Sequence, residues 1–234
     1  VGMGSKLIFA VPSKGRLMEA TTGMLAEGGL EVRKTGSERG YRGEIVDVGD
    51  VEIAFISASE IANALRIGQV HLGVTGEDLI REEIADAEKR VKFLKPLGFG
   101  HADVVVAVPA CWIDVRAMED LDEVAIAFRR EHQRRMRVAT KYVNLTRRHF
   151  SYYGISDYRI VESLGATEGT PAAGTAELIV DITSTGTTIR ANGLKQIGGG
   201  TILKSEANLI ESRMAEWTPE LRAVQNDILK RLGI

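Results

Sequence analysis

Glu177-Leu-Ile-Val-Asp-Ile-Thr-Ser-Thr-Gly-Thr-Thr-Ile-Arg-Ala-Asn-Gly193 runs an apolar strand into a hydroxyl-rich turn and then into the start of a helix. Leu178 to Val180 read as a short β-branched strand with Asp181 at its carboxyl end. Thr183, Ser184, Thr185, Thr187 and Thr188 then present hydroxyls and backbone amides around Gly186. Lacking a Cβ, Gly186 is free to take positive φ and let an anion approach the main chain. A helix from about Thr188 would turn its unpaired amides and positive dipole end toward the same anion. The stretch therefore reads as a phosphate cradle at a strand-to-helix junction, and it places the chain among α/β folds whose sites lie at the carboxyl ends of strands.

Working outward, Asp157 to Glu162 reads as a strand leading into Gly165-Ala-Thr-Glu-Gly-Thr-Pro171, a glycine loop that carries Glu168, and a helical turn at Ala172 to Ala176 joins it to the cradle. Glu168 and Asp181 are thus two carboxylates at neighbouring turns, although either alone would serve as well as a capping acid. On the other side, Gly198 to Gly200 suggests a tight turn, Thr201 to Ile210 a long strand, and the tail from Pro219 an amphipathic helix with Leu221, Val224, Ile228 and Leu232 on one side.

The amino-terminal half repeats the strand-then-turn logic. Lys6-Leu-Ile-Phe-Ala-Val-Pro12 is a buried strand, and Ser13-Lys-Gly-Arg16 a turn in which Ser13 would cap the next helix. Lys14, Gly15 and Arg16 suit a polyphosphate there, or are two solvated charges on a surface turn. Arg33 to Arg42, with Lys34 and Arg39, is a loop or short hairpin whose charge would steer an anion. Val51 to Ile56 is a second strand and Ser59 to Arg66 a helix. Gln69 to Asp78 is a third strand entering a glycine turn, where Thr75 and Gly76 offer amides to a ligand and His71 is structural. Val91 to Gly100 reads as a Pro- and Gly-containing connection into the strand Ala102 to Pro109, which marks a boundary between lobes. An acidic helical segment at Met118 to Val124, a basic patch at Arg129, Arg130, Arg134 and Arg135, a strand at Arg137 to Thr140 and a helix at Tyr142 to Tyr152 complete the chain.

Composition bounds the partners. A formal net charge of -2 over 234 residues argues against a general nucleic-acid binder. The single cysteine, Cys111, has no internal disulfide partner and is expected to be buried. No apolar run approaches the roughly 20 residues that cross a bilayer, and Val1 to Ser5 has no signal-peptide pattern, so no membrane and a cytoplasmic location are expected. The P-loop pattern, a zinc-type His/Cys cluster, the GxSxG elbow and the GxGxxG fingerprint do not occur. What remains is an acid at a strand end with a threonine cradle beyond it, which suits a phosphoribosyl group: carboxylate to the vicinal hydroxyls, amides and hydroxyls to the phosphate.

Val180-Asp-Ile-Thr-Ser-Thr-Gly-Thr-Thr-Ile-Arg-Ala-Asn-Gly-Leu194 resembles the phosphoribosyl-diphosphate loop of the ATP phosphoribosyltransferases, the first enzymes of histidine biosynthesis. The resemblance extends in order through Ser13 to Leu17, Leu72 to Asp78, Arg137 to Tyr142 and Gly165 to Asp181. At Phe55-Ile-Ser-Ala-Ser-Glu60 the chain departs from a family pattern that often carries an arginine and an aspartate. The resemblance implies a two-lobed, periplasmic-binding-protein-like α/β fold with a cleft between lobes, here residues 1–98 with 206–234 and residues 99–205. It implies transfer of the 5-phosphoribosyl group to N1 of ATP, with Glu168 and Asp181 as catalytic groups and as ligands of Mg²⁺. Lys14, Gly15, Arg16, Thr75, Gly76, Asp181 and the residues Thr183 to Thr188 would contact phosphoribosyl diphosphate and ATP. The chain looks like the short form, which forms a homodimer core within a hetero-oligomer containing a histidyl-tRNA-synthetase-like regulatory subunit. Two rival readings are a cytosolic two-lobed sensor of a small ligand and a phosphoribosyltransferase for another base.

Overall fold

The computed structural model describes residues 5–36 and 41–234. They divide into two compact units, Val1–Gly100 with Glu206–Ile234, and His101–Ser205. The expectations for Val1 to Gly4 and for Arg39 fall outside the described residues. Among the described residues, no helix is long and apolar enough to cross a membrane.

The first unit is built on a seven-stranded sheet. Its elements are β1 (Leu7–Pro12), α1 (Gly15–Glu27), β2 (Val32–Lys34), β3 (Arg42–Ile45), β4 (Val48–Ile56), α2 (Ala58–Ile67), β5 (Leu72–Gly76), α3 (Glu77–Glu83), α4 (Ala87–Arg90) and β6 (Val91–Pro96). The strands lie in the order β2-β3-β4-β1-β5-β12-β6, where β12 (Ala207–Ser212) comes from the far end of the chain and is followed by α8 (Pro219–Arg231). β1 is parallel to both β4 and β5, so its two faces are both covered. Leu7, Phe9 and Val11 pack with Leu25 of α1 and with Leu221 and Ile228 of α8. Ala10 on the opposite face packs with Ile61 and Leu65 of α2 and Ile80 of α3. That double burial is why β1 reads as a continuous apolar run rather than an alternating one.

The second unit carries β7 (Ala102–Pro109), α5 (Leu121–His132), β8 (Met136–Thr140), α6 (Val143–Tyr152), β9 (Tyr158–Glu162), β10 (Leu178–Thr183), α7 (Thr187–Ala191) and β11 (Leu194–Ser205). Its five strands lie in the order β11-β7-β10-β8-β9. β10 runs parallel to β8 and antiparallel to β7, and β8 is parallel to β9 through the α6 crossover. Val106, Val138 and Val180 face Leu121 and Phe150, while Val105, Ala139 and Ile179 face Ile189 and Leu194.

Several local expectations are corrected. β6 is a strand where a connection was expected, and β3 pairs with β4 ahead of the strand expected at Val51. The glycines 198–200 do not form a tight turn but lie inside β11, whose register slips between Gln196 and Thr201. The backbone there is pinned from outside: His149 Nε2 donates to the Gly199 carbonyl at 2.8 Å, and a Cβ on Gly199 would stand 2.5 Å from the Tyr153 hydroxyl. The helical turn expected at Ala172 to Ala176 is instead a 3₁₀ turn at Thr167–Gly169. Cys111 is exposed, because it sits in the turn that leaves β7 rather than in the sheet. His71 is structural: Ile8 N–H donates to its Nδ1 at 3.0 Å, which makes Nε2 the donor to the Glu216 carbonyl at 3.1 Å.

Candidate functional site

In the second unit, β10 runs two residues further than expected, so Asp181 stands in the last half of the strand, opposite Val105. The Ile182 amide donates to its Oδ1 at 2.8 Å. Burial pushes the Asp181 carboxyl above the usual aspartate range, a pull that Ile182 and the nearby Lys141 ammonium oppose and that Glu168 reinforces. Glu168 reaches this neighbourhood from the 3₁₀ turn, which is entered through Ala166 at φ 50°. A non-glycine residue in that region is uncommon and costs about 1–3 kcal/mol, and such strain clusters at functional sites.

The loop beyond Asp181 uses some of its own hydroxyls. Gly186 N–H donates to Thr183 Oγ1 at 2.8 Å, closing the turn, and Ser184 Oγ donates to the His101 carbonyl at 3.1 Å. Thr185 and Thr187 share a hydrogen bond at 2.8 Å and remain exposed, as does Thr188. Gly186 takes φ 75°, as its role demands. A Cβ there would meet Arg190 Nη1 at 2.7 Å, and Arg190 Nη2 donates to the Thr185 carbonyl at 3.3 Å, bracing the loop from behind. Among the described residues, the amides of Thr185 and Thr188 find no acceptor in the protein. α7 has only five residues, so the loop amides and Thr185, Thr187 and Thr188 offer more to an anion than a helix dipole does.

In the first unit, β1 and β5 are adjacent and parallel, so residues 13–16 after β1 and Thr75-Gly76, which end β5 rather than form the expected glycine turn, share one end of that sheet. Lys14 takes the N-cap position of α1 in place of the expected Ser13, with no side-chain cap, and Lys14, Gly15 and Arg16 are all exposed. No acidic residue lies in the first turn of α1, so a 13-residue helix presents its positive end beside two cations. Thr75 is different: it is buried and donates to the Ala58 carbonyl at 2.8 Å, leaving its hydroxyl engaged. Gly76 opens α3, whose first turn carries Glu77 and Asp78, a less hospitable end for an anion. Arg33 and Arg42 are neutralised by Glu44 and Glu52, and Lys34 lies 5.0 Å from the Phe55 ring centroid, so the expected steering charge is mostly absorbed. At Phe55 to Glu60, the departure from the family pattern builds a capping box: Glu60 N–H donates to Ser57 Oγ at 3.3 Å and Ser57 N–H to Glu60 Oε2 at 2.8 Å.

Lys141 was not singled out in the sequence reading. The signal was available: it follows β8, the strand parallel to and beside β10, and so ends up at the same sheet end as Asp181.

The fold is shared with solved proteins. An ATP phosphoribosyl transferase (HisG:HisZ) complex from Thermotoga maritima matches with a TM-score of 0.73 at 23% identity, over 97% of this chain and 98% of that one. A substrate-binding protein of an amino acid ABC transporter matches at 0.53 and 12% identity, over 98% and 93%. Two α/β units, one closed by the chain's own tail, and a strand ending in a hydroxyl-lined loop define a protein of the periplasmic-binding-protein-like class. The family model for ATP phosphoribosyltransferase matches residues 57–233, and the ATP phosphoribosyltransferase of Bradyrhizobium diazoefficiens is 59% identical over 99% of this chain and 71% of its own length. The chain belongs to the ATP phosphoribosyltransferase family. The relative from Afipia carboxidovorans is 60% identical over the same shares of the two chains.

Proposed function

We propose that this enzyme holds phosphoribosyl diphosphate on the Asp181 loop and transfers its 5-phosphoribosyl group to N1 of ATP, releasing pyrophosphate in the first step of histidine biosynthesis. The observation that carries the assignment of roles is the half-buried Asp181 carboxylate, set between Lys141 and Glu168 in charge and followed by a loop with free amides. In the reaction the N1 lone pair forms the bond to the anomeric carbon while the bond from that carbon to the diphosphate oxygen breaks. Positive charge develops on the ribose, and the carboxylates of Asp181 and Glu168 stabilise it. The amides of Thr185 and Thr188 and the hydroxyls of Thr185, Thr187 and Thr188 bind the 5-phosphate. Adenine N1 is already a nucleophile, so the protein's part is orientation rather than proton removal. Lys14 and Arg16, with the amino end of α1, bind a polyphosphate, the triphosphate of ATP or the diphosphate.

Asp181 and Glu168 also fit a divalent cation. Their donors are all carboxylate oxygens, and Glu168 lies near enough for its charge to add to the rise of Asp181. Among the described residues no three acidic, thiol or imidazole groups gather into a cage, and Mg²⁺ typically takes one or two carboxylates with the remainder from substrate and water. Mg²⁺ held there would supply positive charge against the departing diphosphate. The Thermotoga HisG:HisZ complex supports a hetero-oligomer with a second, regulatory subunit; the cytoplasmic location and the homodimer core follow from the family resemblance.

The test is to incubate the protein with ATP, phosphoribosyl diphosphate and Mg²⁺, with and without a regulatory subunit, and follow the absorbance of the N1 adduct. Adduct and pyrophosphate in equal amounts are expected. Turnover with another base and none with ATP would reject the acceptor.

A further inference from the structure

The segment that brings Glu168 to the neighbourhood of Asp181 has little apolar packing. Residues 163–177 run from the carboxyl end of β9 to the amino end of β10, and the order β10-β8-β9 takes them across β8. The connection between β8 and β9, α6, buries Leu145 and Phe150. Residues 163–176, by contrast, hold one 3₁₀ turn, bury only Thr167 and Ala176, and leave Leu164, their one large apolar side chain, 82% exposed. At about 25 cal/mol per Å² of apolar surface, two small side chains do little to fix such a segment. Polar bonds hold it instead.

These bonds lie at its two ends. At the start, Ser163 N–H donates to the Thr140 carbonyl at 3.0 Å, and the Ser163 and Thr167 hydroxyls share a hydrogen bond at 2.9 Å. At the end, one side chain of β8 holds two points at once. Arg137 Nη2 donates to the Gly174 carbonyl and to Glu177 Oε1, each at 2.8 Å, and its Nε donates to Glu177 Oε2 at 3.3 Å. A guanidinium suits this task, because its donors serve separate acceptors from one rigid plane. Arg134 also reaches Glu177, at 2.9 Å, but among the described residues its hydrogen bonds go only to Glu177 and to the Arg135 carbonyl. Arg137 alone ties the crossover itself to the sheet at this end.

The crossover and the acid lie on one face of the sheet. Ala176 packs with Ala139 and Ile179, and alternation along β8 and β10 puts Arg137 and Asp181 on the same face as those two residues. Glu177 and Asp181 are separated along β10 by roughly 13 Å at ~3.3 Å per residue. Arg137 therefore stands away from the reacting atoms, and what it contributes passes through the segment it holds. We propose that Arg137 is a positioning residue for the transfer reaction: by fastening Gly174 and Glu177 to β8 it fixes the crossover so that Glu168 stands beside Asp181. The proposal rests on the reading of Glu168 as a group that acts on the ribose. Without the fork the crossover is tied only at Ser163 and Thr167, whereas the Asp181 loop keeps its own bonds at Thr183, Ser184 and Arg190.

Arg137→Met, Arg134→Met and Glu168→Gln, each in the full chain, test this. Hydrogen exchange without substrates should quicken at least tenfold along residues 167–175 in Arg137→Met and stay at the parent's rate along 178–190. Arg134→Met should lower the melting temperature yet leave exchange along 167–175, and kcat, within twofold of the parent. In the adduct assay Arg137→Met should lower kcat at least tenfold with the KM for phosphoribosyl diphosphate within threefold, and Arg137→Lys should recover part of the loss. Adding Glu168→Gln to Arg137→Met should then cost less than twofold more, whereas adding Asp181→Asn should cost as much as it does in the parent. Arg137→Gln takes the place of Arg137→Met should the latter not fold. The proposal fails if exchange along 167–175 is unchanged, if Arg134→Met reproduces the effects of Arg137→Met, if the losses from Arg137 and Glu168 multiply, or if Arg137→Lys recovers nothing. A parent chain that makes no adduct would reject the transfer reading instead, and hydrogen exchange would still decide whether Arg137 fastens the crossover.

Discussion

Asp181 illustrates a conflict between folding and function at a single residue. Its carboxyl is pushed upward chiefly by burial, so an ionised Asp181 is a small burden on the folded state and a neutral isostere relieves it. Asp181→Asn is expected to weaken phosphoribosyl-diphosphate binding roughly 10–100-fold, about 1.4–2.7 kcal/mol, while leaving the melting temperature equal or higher. Parallel losses of binding and melting temperature would make the residue merely structural. Lys141 opposes the burial effect, so Lys141→Met should move the acid limb of the kcat/KM profile to higher pH and Lys141→Arg should restore it. An unmoved limb would remove Lys141 from the site. Glu177 behaves in the opposite sense. Burial pushes it up, but hydrogen bonds from Arg134 and Arg137 outweigh that and hold it at about 2, below the ordinary 4.5. Its contribution is complete above pH 4.5 and is lost as pH falls toward 2. With allowance for solvent screening of the partly exposed arginines, Glu177→Gln should cost about 1–2 kcal/mol at pH 7 and little at pH 2 in urea titrations.

At the scale of elements, the close approaches matter more than propensity. Gly68 ends α2 at φ 79°, and a Cβ there would stand 2.3 Å from the Met214 carbonyl oxygen. Backbone strain and a clash with main chain add, so Gly68→Ala should cost about 2–4 kcal/mol. Gly29, also at positive φ but in open space, supplies the control: Gly29→Ala should cost only the backbone part, about 1 kcal/mol, in the same melts. Which elements were legible follows from burial. β1, β5, β7 and the amino half of β10 are buried on both faces and wrote themselves as apolar runs. β6 did not, because it is an edge strand whose Lys92, Lys95 and Pro96 face outward, the charged and proline-bearing habit of an unpaired sheet edge. β3 lies inside the sheet between β2 and β4, but its Arg42 and Glu44 pair across to Glu52 and Arg33, and those charges hid it in the sequence. The Asp181 loop was legible because its glycine and threonines are local in sequence. The engagement of Thr75 with Ala58 and the proximity of Lys141 to Asp181 were not, since both depend on elements meeting across many residues.

For the whole molecule, the alternation of strands and helices announced the α/β class, but the order of the first sheet could not be read from it. β12 enters between β5 and β6, and among the described residues β6 has no other strand partner. The second unit, by contrast, draws all five strands from residues 101–205. A chain ending at Ser205 is therefore expected to keep a protease-resistant core of residues 101–205 that melts cooperatively, while residues 5–100 are cleaved quickly. A uniformly resistant or uniformly degraded product would contradict that division.

The same strand order bears on biosynthesis. Residues 1–100 leave the ribosome before residues 101–205, yet their sheet waits for residues 206–234 to emerge, after the intervening unit has all of its strands. The unit carrying Lys14 and Arg16 is thus begun before residues 101–205 and completed after them. Until residues 207–212 emerge, β5 lacks its β12 neighbour and β6 lacks the strand it pairs with, so the nascent chain is exposed to aggregation through residues made well before them.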